Sequence, residues 1–107
     1  MLERKLYPKF QKKIYEADPK CFCYKIPDFP GSTKRPFDFL LLFKGCPFAI
    51  EFKSKKGTLT KYQEYMLGLF FMAGGVSLLF TEGDNMDLFI EHIKEMANEP
   101  SKRKSCI

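Results

Sequence analysis

Between Leu6 and Ile14 the apolar side chains Leu6, Tyr7, Phe10 and Ile14 recur at steps of three and four, the spacing of one helix face. The stripe predicts a helical segment over Glu3–Ala17, its regular part starting near Tyr7 with Pro8 in the first turn, where a missing N–H does no harm. Asp18-Pro19 ends it, and Cys21–Ile26 reads as a short strand. Pro27 to Pro36 is a basic loop rich in proline and glycine. Two apolar runs follow, Phe37–Phe43, broken only by Asp38, and Cys46–Lys53, which turns charged at Glu51 and Lys53; Lys44-Gly45 between them reads as a hairpin turn. Tyr62, Tyr65, Met66, Leu69, Phe70 and Ala73 trace the predicted buried face of a second helix that stops at Gly74-Gly75. Val76–Glu82 is a further strand. Met86, Phe89, Ile90, Ile93 and Met96 mark a last amphipathic helix, closed by Asn98-Glu99-Pro100. The order helix, three strands, helix, strand, helix predicts one small α/β domain over residues 1–100, with helices on a central sheet. Residues 101–107 read as a basic tail with no packing signal.

Composition supports a single core: 45% of the 107 residues are apolar. The longest uncharged stretch, Tyr65–Thr81, is interrupted by Gly68, Gly74, Gly75 and Ser77 and falls short of the ~18 to 20 apolar residues that span a bilayer. Met1-Leu2-Glu3-Arg4-Lys5 has no apolar stretch behind it, so the expectation is an intracellular chain without a membrane segment. Cys21, Cys23, Cys46 and Cys106 form no CxxC pair and His92 is the sole histidine, which favours reduced thiols over structural zinc. The net charge of +5 gathers in Lys9-Lys12-Lys13, Lys34-Arg35, Lys53-Lys55-Lys56 and Lys102-Arg103-Lys104. Such clusters suit a polyanion, although a basic surface also serves solubility alone.

The chemistry lies in three charges inside the apolar runs. Side chains alternate across a strand, so Glu51 and Lys53 share one face while Ile50 and Phe52 take the other. If Lys44-Gly45 is a two-residue turn, Phe43 faces Cys46 and, counting outward, Asp38 faces Glu51. Opposed residues bring their Cβ atoms to about 4.5 to 5.5 Å. A four-residue loop would leave them diagonal neighbours, and only an odd loop or a bulge would separate them. Two like charges at that distance on apolar strands call for compensation. Mg²⁺, with Mn²⁺ able to substitute, takes one or two carboxylates and keeps waters, which matches what Asp38 and Glu51 offer. Lys53 on the same face can hold a phosphate or assist a bound water, or else simply pairs with one of the acids at a sheet edge.

Asp38, twelve intervening residues, then Glu51-Phe52-Lys53 on the next strand resembles the PD-(D/E)xK nuclease superfamily, and the following helix opening with Gln63 is similar to its VRR-NUC and Holliday-junction-resolvase-like branches. The match covers roughly residues 3–82. The resemblance implies a restriction-endonuclease-like αβββαβ core with an additional C-terminal helix, and hydrolysis of DNA phosphodiesters with Mg²⁺ or Mn²⁺. It implies Asp38, Glu51 and the Phe52 carbonyl as metal ligands, Glu3 as the acidic residue completing the set with Glu16 as second choice, and Lys53 as the catalytic lysine. Here the motif reads Pro36-Phe37-Asp38 rather than adjoining Pro and Asp. Gln63 has two readings, a catalytic-site residue or the closing member of a Thr60–Gln63 capping box. Lys34, Arg35, Lys55 and Lys56 are the candidate DNA contacts, Tyr62 and Tyr65 are expected in the core, and His92 at the surface. The function expected is a metal-dependent endodeoxyribonuclease acting on branched DNA as a homodimer; the alternative is a catalytically inactive nucleic-acid-binding module of the same fold.

Overall fold

The computed structural model describes residues 6–27 and 35–103. The elements follow the expected order: α1 (Leu6–Ala17), β1 (Phe22–Lys25), β2 (Phe39–Phe43), β3 (Cys46–Lys53), α2 (Lys61–Met72), β4 (Val76–Thr81) and α3 (Met86–Asn98). They build a four-stranded mixed sheet in the order β1-β2-β3-β4, antiparallel except for the parallel β3–β4 pair. The fold is a small single-domain α/β structure with three helices, none long and apolar enough to cross a membrane among the described residues.

One sheet face is an aromatic core. Phe39, Leu41 and Phe43 on β2, Phe48, Ile50 and Phe52 on β3, and Val76, Leu78 and Phe80 on β4 meet Leu6, Phe10 and Ile14 of α1 and Met86, Ile90, Ile93 and Met96 of α3. Phe10 sits at its centre, fully buried, with its ring 5.4 Å from Phe39, 5.6 Å from Phe52 and 5.8 Å from Phe89. Pro8 lies in the first turn of α1, as its missing N–H requires.

The hairpin turn fixes the register. Lys44 (φ 51°) and Gly45 (φ 79°) both adopt positive φ, the backbone of a two-residue primed turn whose twist suits flanking strands. Phe43 therefore faces Cys46 and Phe39 faces Ile50. Regular pairing stops at Phe39 rather than extending to Phe37, because the Asp38 N–H turns to a side chain of β3.

The second face is covered by α2, and here the expected packing stripe is wrong. Leu67 is the helix's buried residue, packed with Ala49 and Phe37 and flanked by Phe70, whereas Tyr65 is 62% and Met72 83% exposed and Leu69 is exposed too. Tyr65 is thus not core, and Tyr62 is only half-buried. The helix is apolar on nearly every side, so the spacing of its apolar residues did not single out the inner one. Ser77 Oγ, buried on β4, donates 2.6 Å to the Leu67 carbonyl and ties α2 to the sheet. The helix ends in a Schellman closure, Gly75 N–H to Phe70 O and Gly74 N–H to Phe71 O, with Gly74 at φ 106°. Over β1 and β2 the same face stays open, with Phe22, Tyr24 and Leu42 exposed.

Residues 100–103 are no free tail. Pro100–Lys102 forms a 3-10 turn, and Arg103 donates to the Met96 carbonyl at 2.7 Å and the Ala97 carbonyl at 3.2 Å, satisfying groups that the end of α3 leaves unbonded.

Candidate functional site

The hairpin delivers Asp38 and Glu51 to one end of the sheet, on the α2 side, where each acid serves the other's strand. The Asp38 N–H donates to Glu51 Oε2 (3.1 Å), and Asp38 Oδ2 accepts from the Phe52 N–H (2.9 Å). Two side-chain bonds thus replace the next rung of the backbone ladder. Both residues are buried, Asp38 with 4% and Glu51 with 1% of their surface exposed. A one-residue slip would send Glu51 to the aromatic face.

Three further side chains surround the pair. Lys53 Nζ, on a buried residue, lies 3.7 Å from Glu51 Oε1, and the same oxygen accepts from Gln63 Nε2 at 3.1 Å. The Gln63 side chain closes the helix cap and also reaches Glu51. Its side-chain oxygen accepts from the Thr60 N–H (3.0 Å) while the Gln63 backbone N–H donates to Thr60 Oγ1 (3.1 Å), closing the capping box and aiming the side-chain NH₂ at Glu51. Arg35 Nη2 lies 2.7 Å from Asp38 Oδ1, and its Nη1 donates to the Ile26 carbonyl (3.2 Å), which also accepts from Lys25. The Arg35–Asp38 contact brings opposite charges together without hydrogen-bond alignment, so Oδ1 is charge-compensated but accepts no hydrogen bond among the described residues.

The electrostatics follow from burial. Loss of water around the carboxylate pushes the Glu51 pKa up to about 8, helped by the neighbouring Asp38 charge and hydrogen bond and opposed by Lys53 and Arg35. Two acids and two bases face one another in a nearly dry site.

Of the predicted site residues, Asp38, Glu51, Lys53 and Gln63 come together. Phe52 contributes its N–H to Asp38 and its ring to the core. Arg35, expected as a DNA contact, lies on Asp38. Lys55 and Lys56 are exposed in the turn after β3, the Lys55 N–H donating to Glu82 at 3.4 Å. Glu3 and Lys34 lie outside the described residues. Glu16 lines an open cleft of about 640 Å³ with Lys13, Asp87 and Lys94 between α1 and α3. That cleft is on the aromatic-core side of the sheet, away from Glu51. The Arg35–Asp38 pair was not foreseen, although the i, i+3 spacing in Arg35-Pro36-Phe37-Asp38 permits it.

Among the described residues, no three or more His, Cys, Asp and Glu side chains come together in a cluster that could hold a metal ion. Two carboxylates, one with an oxygen lacking a hydrogen bond, nevertheless fit a hard divalent cation that keeps several waters. Cys21, Cys23 and Cys46 are free thiols. Burial raises the pKa of all three, Cys23 to about 12, which leaves them protonated and poor ligands. A scan against protein-family models finds no match to the chain, and a search of curated proteins likewise finds none.

Proposed function

We propose that the chain is a metal-dependent endodeoxyribonuclease built on a restriction-endonuclease-like αβββαβ core. The observation that carries this reading is the mutual bonding of Asp38 and Glu51 at one end of β2 and β3, with Lys53 one pleat further along. Two acids buried side by side are expensive to keep ionised, and a structural role would be met as well by neutral side chains.

Asp38 and Glu51 would hold a Mg²⁺ or Mn²⁺ ion, whose chemistry when bound is to offset charge on the phosphate and lower the pKa of a water. Gln63 fixes the Glu51 carboxylate through its own cap, so this ligand is preorganised. Lys53 places an ammonium where it can orient the scissile phosphate or the attacking water. Water attacks phosphorus in line, a P–O bond forms, and the bond to the leaving oxygen breaks. Exposed Lys55 and Lys56, at the same end of β3, suit the DNA backbone. Branched DNA is the favoured substrate, because the exposed Lys55 and Lys56 suit backbone phosphates rather than base edges. Symmetric cutting of a junction calls for two copies.

A second reading is favoured by one contact. Arg35 already neutralises Asp38, as it would in a nucleic-acid-binding module of this fold without catalysis. The test separates the two. Purified protein should nick linear, forked or four-way DNA with Mg²⁺ or Mn²⁺, and lose the activity with EDTA or in Asp38→Ala. Salt-sensitive DNA binding without cation-dependent cleavage on any of these substrates would select the module, and equal cleavage by Asp38→Ala would remove the proposed site.

A further inference from the structure

We infer that Arg35 is a resident competitor for the divalent ion: its guanidinium occupies the place at Asp38 that the ion must take, and it leaves when the ion arrives. The inference rests on the nuclease reading of the Asp38–Glu51 pair and adds to it the residue that sets metal affinity.

Charge balance motivates it. Asp38 and Glu51 face Arg35 and Lys53, so with all four ionised the site sums to zero. Adding a divalent cation leaves an excess of two positive charges in a region where Asp38 and Glu51 are almost wholly buried. At an effective dielectric near 20, like charges about 4 Å apart repel strongly enough to expel one of them. Lys53 is the less movable cation, being buried on a central strand. Arg35 lies on the chain before β2, and its side chain keeps 25% of its exposure. The 2.7 Å contact to Oδ1 lacks hydrogen-bond alignment, and the other guanidinium nitrogen is spent on the Ile26 carbonyl. The oxygen that Arg35 covers is thus the one whose lone pairs are least engaged. Asp38 Oδ2, by contrast, is held by the Phe52 N–H and stays put when the arginine departs. Once displaced, the guanidinium is an extra cation at the rim of a site that takes a phosphodiester, and its planar fork matches phosphate oxygens.

Isothermal titration of the full chain with MnCl₂, without DNA, tests this. Arg35→Gln should bind Mn²⁺ about tenfold or more tightly than the unaltered chain, Arg35→Lys should fall between them, and Asp38→Asn should abolish binding in every background. If loss of Arg35 lowers folding stability, the thermal shift on adding Mn²⁺ carries the same information. The arginine-free chain should show a lower Tm in EDTA and a larger rise with Mn²⁺. Mn²⁺ binding that depends on Asp38 but is equal or weaker in Arg35→Gln overturns the competitor and leaves the nuclease site standing. No Asp38-dependent binding in any variant overturns both.

Discussion

The two faces of the sheet use burial in opposite ways. Toward α1 and α3 the buried side chains of the three longer strands are apolar, and six of the seven ring contacts among the described residues lie on this face and lock them together. Toward α2 the sheet buries Asp38, Glu51, Lys53 and Ser77 and leaves Phe22, Tyr24 and Leu42 in solvent. One face holds the fold together. The other gives up part of that stability to keep charged groups dry and close, the arrangement expected where burial tunes chemistry rather than packing.

The largest effect that sharpens this contrast is on the aromatic face. Phe10→Ala should cost about 3 to 5 kcal/mol, since a fully buried ring with three aromatic neighbours leaves a cavity that the helix and strands cannot close. Chemical denaturation would read it as a lower midpoint with an unchanged slope.

The charged face should show the reverse sign. A folded-state pKa of about 8 for Glu51 stands above the ordinary 4.5, so the folded chain binds the extra proton between these values and loses stability as pH rises through them. Above pH 8 the carboxylate is ionised in both states and the penalty of burying it is complete. Relative to the unaltered chain, Glu51→Gln in EDTA should therefore gain stability as pH rises from 5 to 9; melting temperatures of the two chains against pH would show the difference between the curves changing with pH. Parallel curves would mean that burial does not raise this carboxyl. Mn²⁺ must displace the same proton, so its binding should tighten as pH rises toward 8 and beyond.

Smaller effects complete the series. Ser77→Ala removes the buried hydroxyl's hydrogen bond to the Leu67 carbonyl, which should cost about 0.5 to 1.5 kcal/mol. Met72→Lys, on the outer side of α2, should change stability by less than about 0.5 kcal/mol. A loss comparable to Ser77→Ala would show that the outer side of α2 is covered in solution.

Where local rules act alone, the sequence was legible. The primed turn at Lys44-Gly45 and the alternation along β3 together dictate that Asp38 and Glu51 meet, and they do. The stripe on α3 likewise includes the helix's buried residues Met86, Ile90, Ile93 and Met96, with Phe89 half-buried beside them. On α2 the same reasoning failed, because tertiary packing chose Leu67 from a helix with apolar residues on most sides. At the site, the Thr60–Gln63 spacing announced a cap but not that the spare amide nitrogen would reach across to Glu51. Arg35 stayed hidden for a related reason. It reaches Asp38 and the Ile26 carbonyl from irregular backbone, where neither periodicity nor register speaks.

The central claim is that two buried acids define a divalent-cation site, and diffraction from a crystal soaked in MnCl₂ above pH 8 tests it most directly. The account predicts an anomalous peak within about 2.3 Å of oxygens from both Asp38 and Glu51, with the Arg35 guanidinium moved off Oδ1. Saturating Mn²⁺ with no peak there, and Arg35 still seated on Asp38, would contradict it.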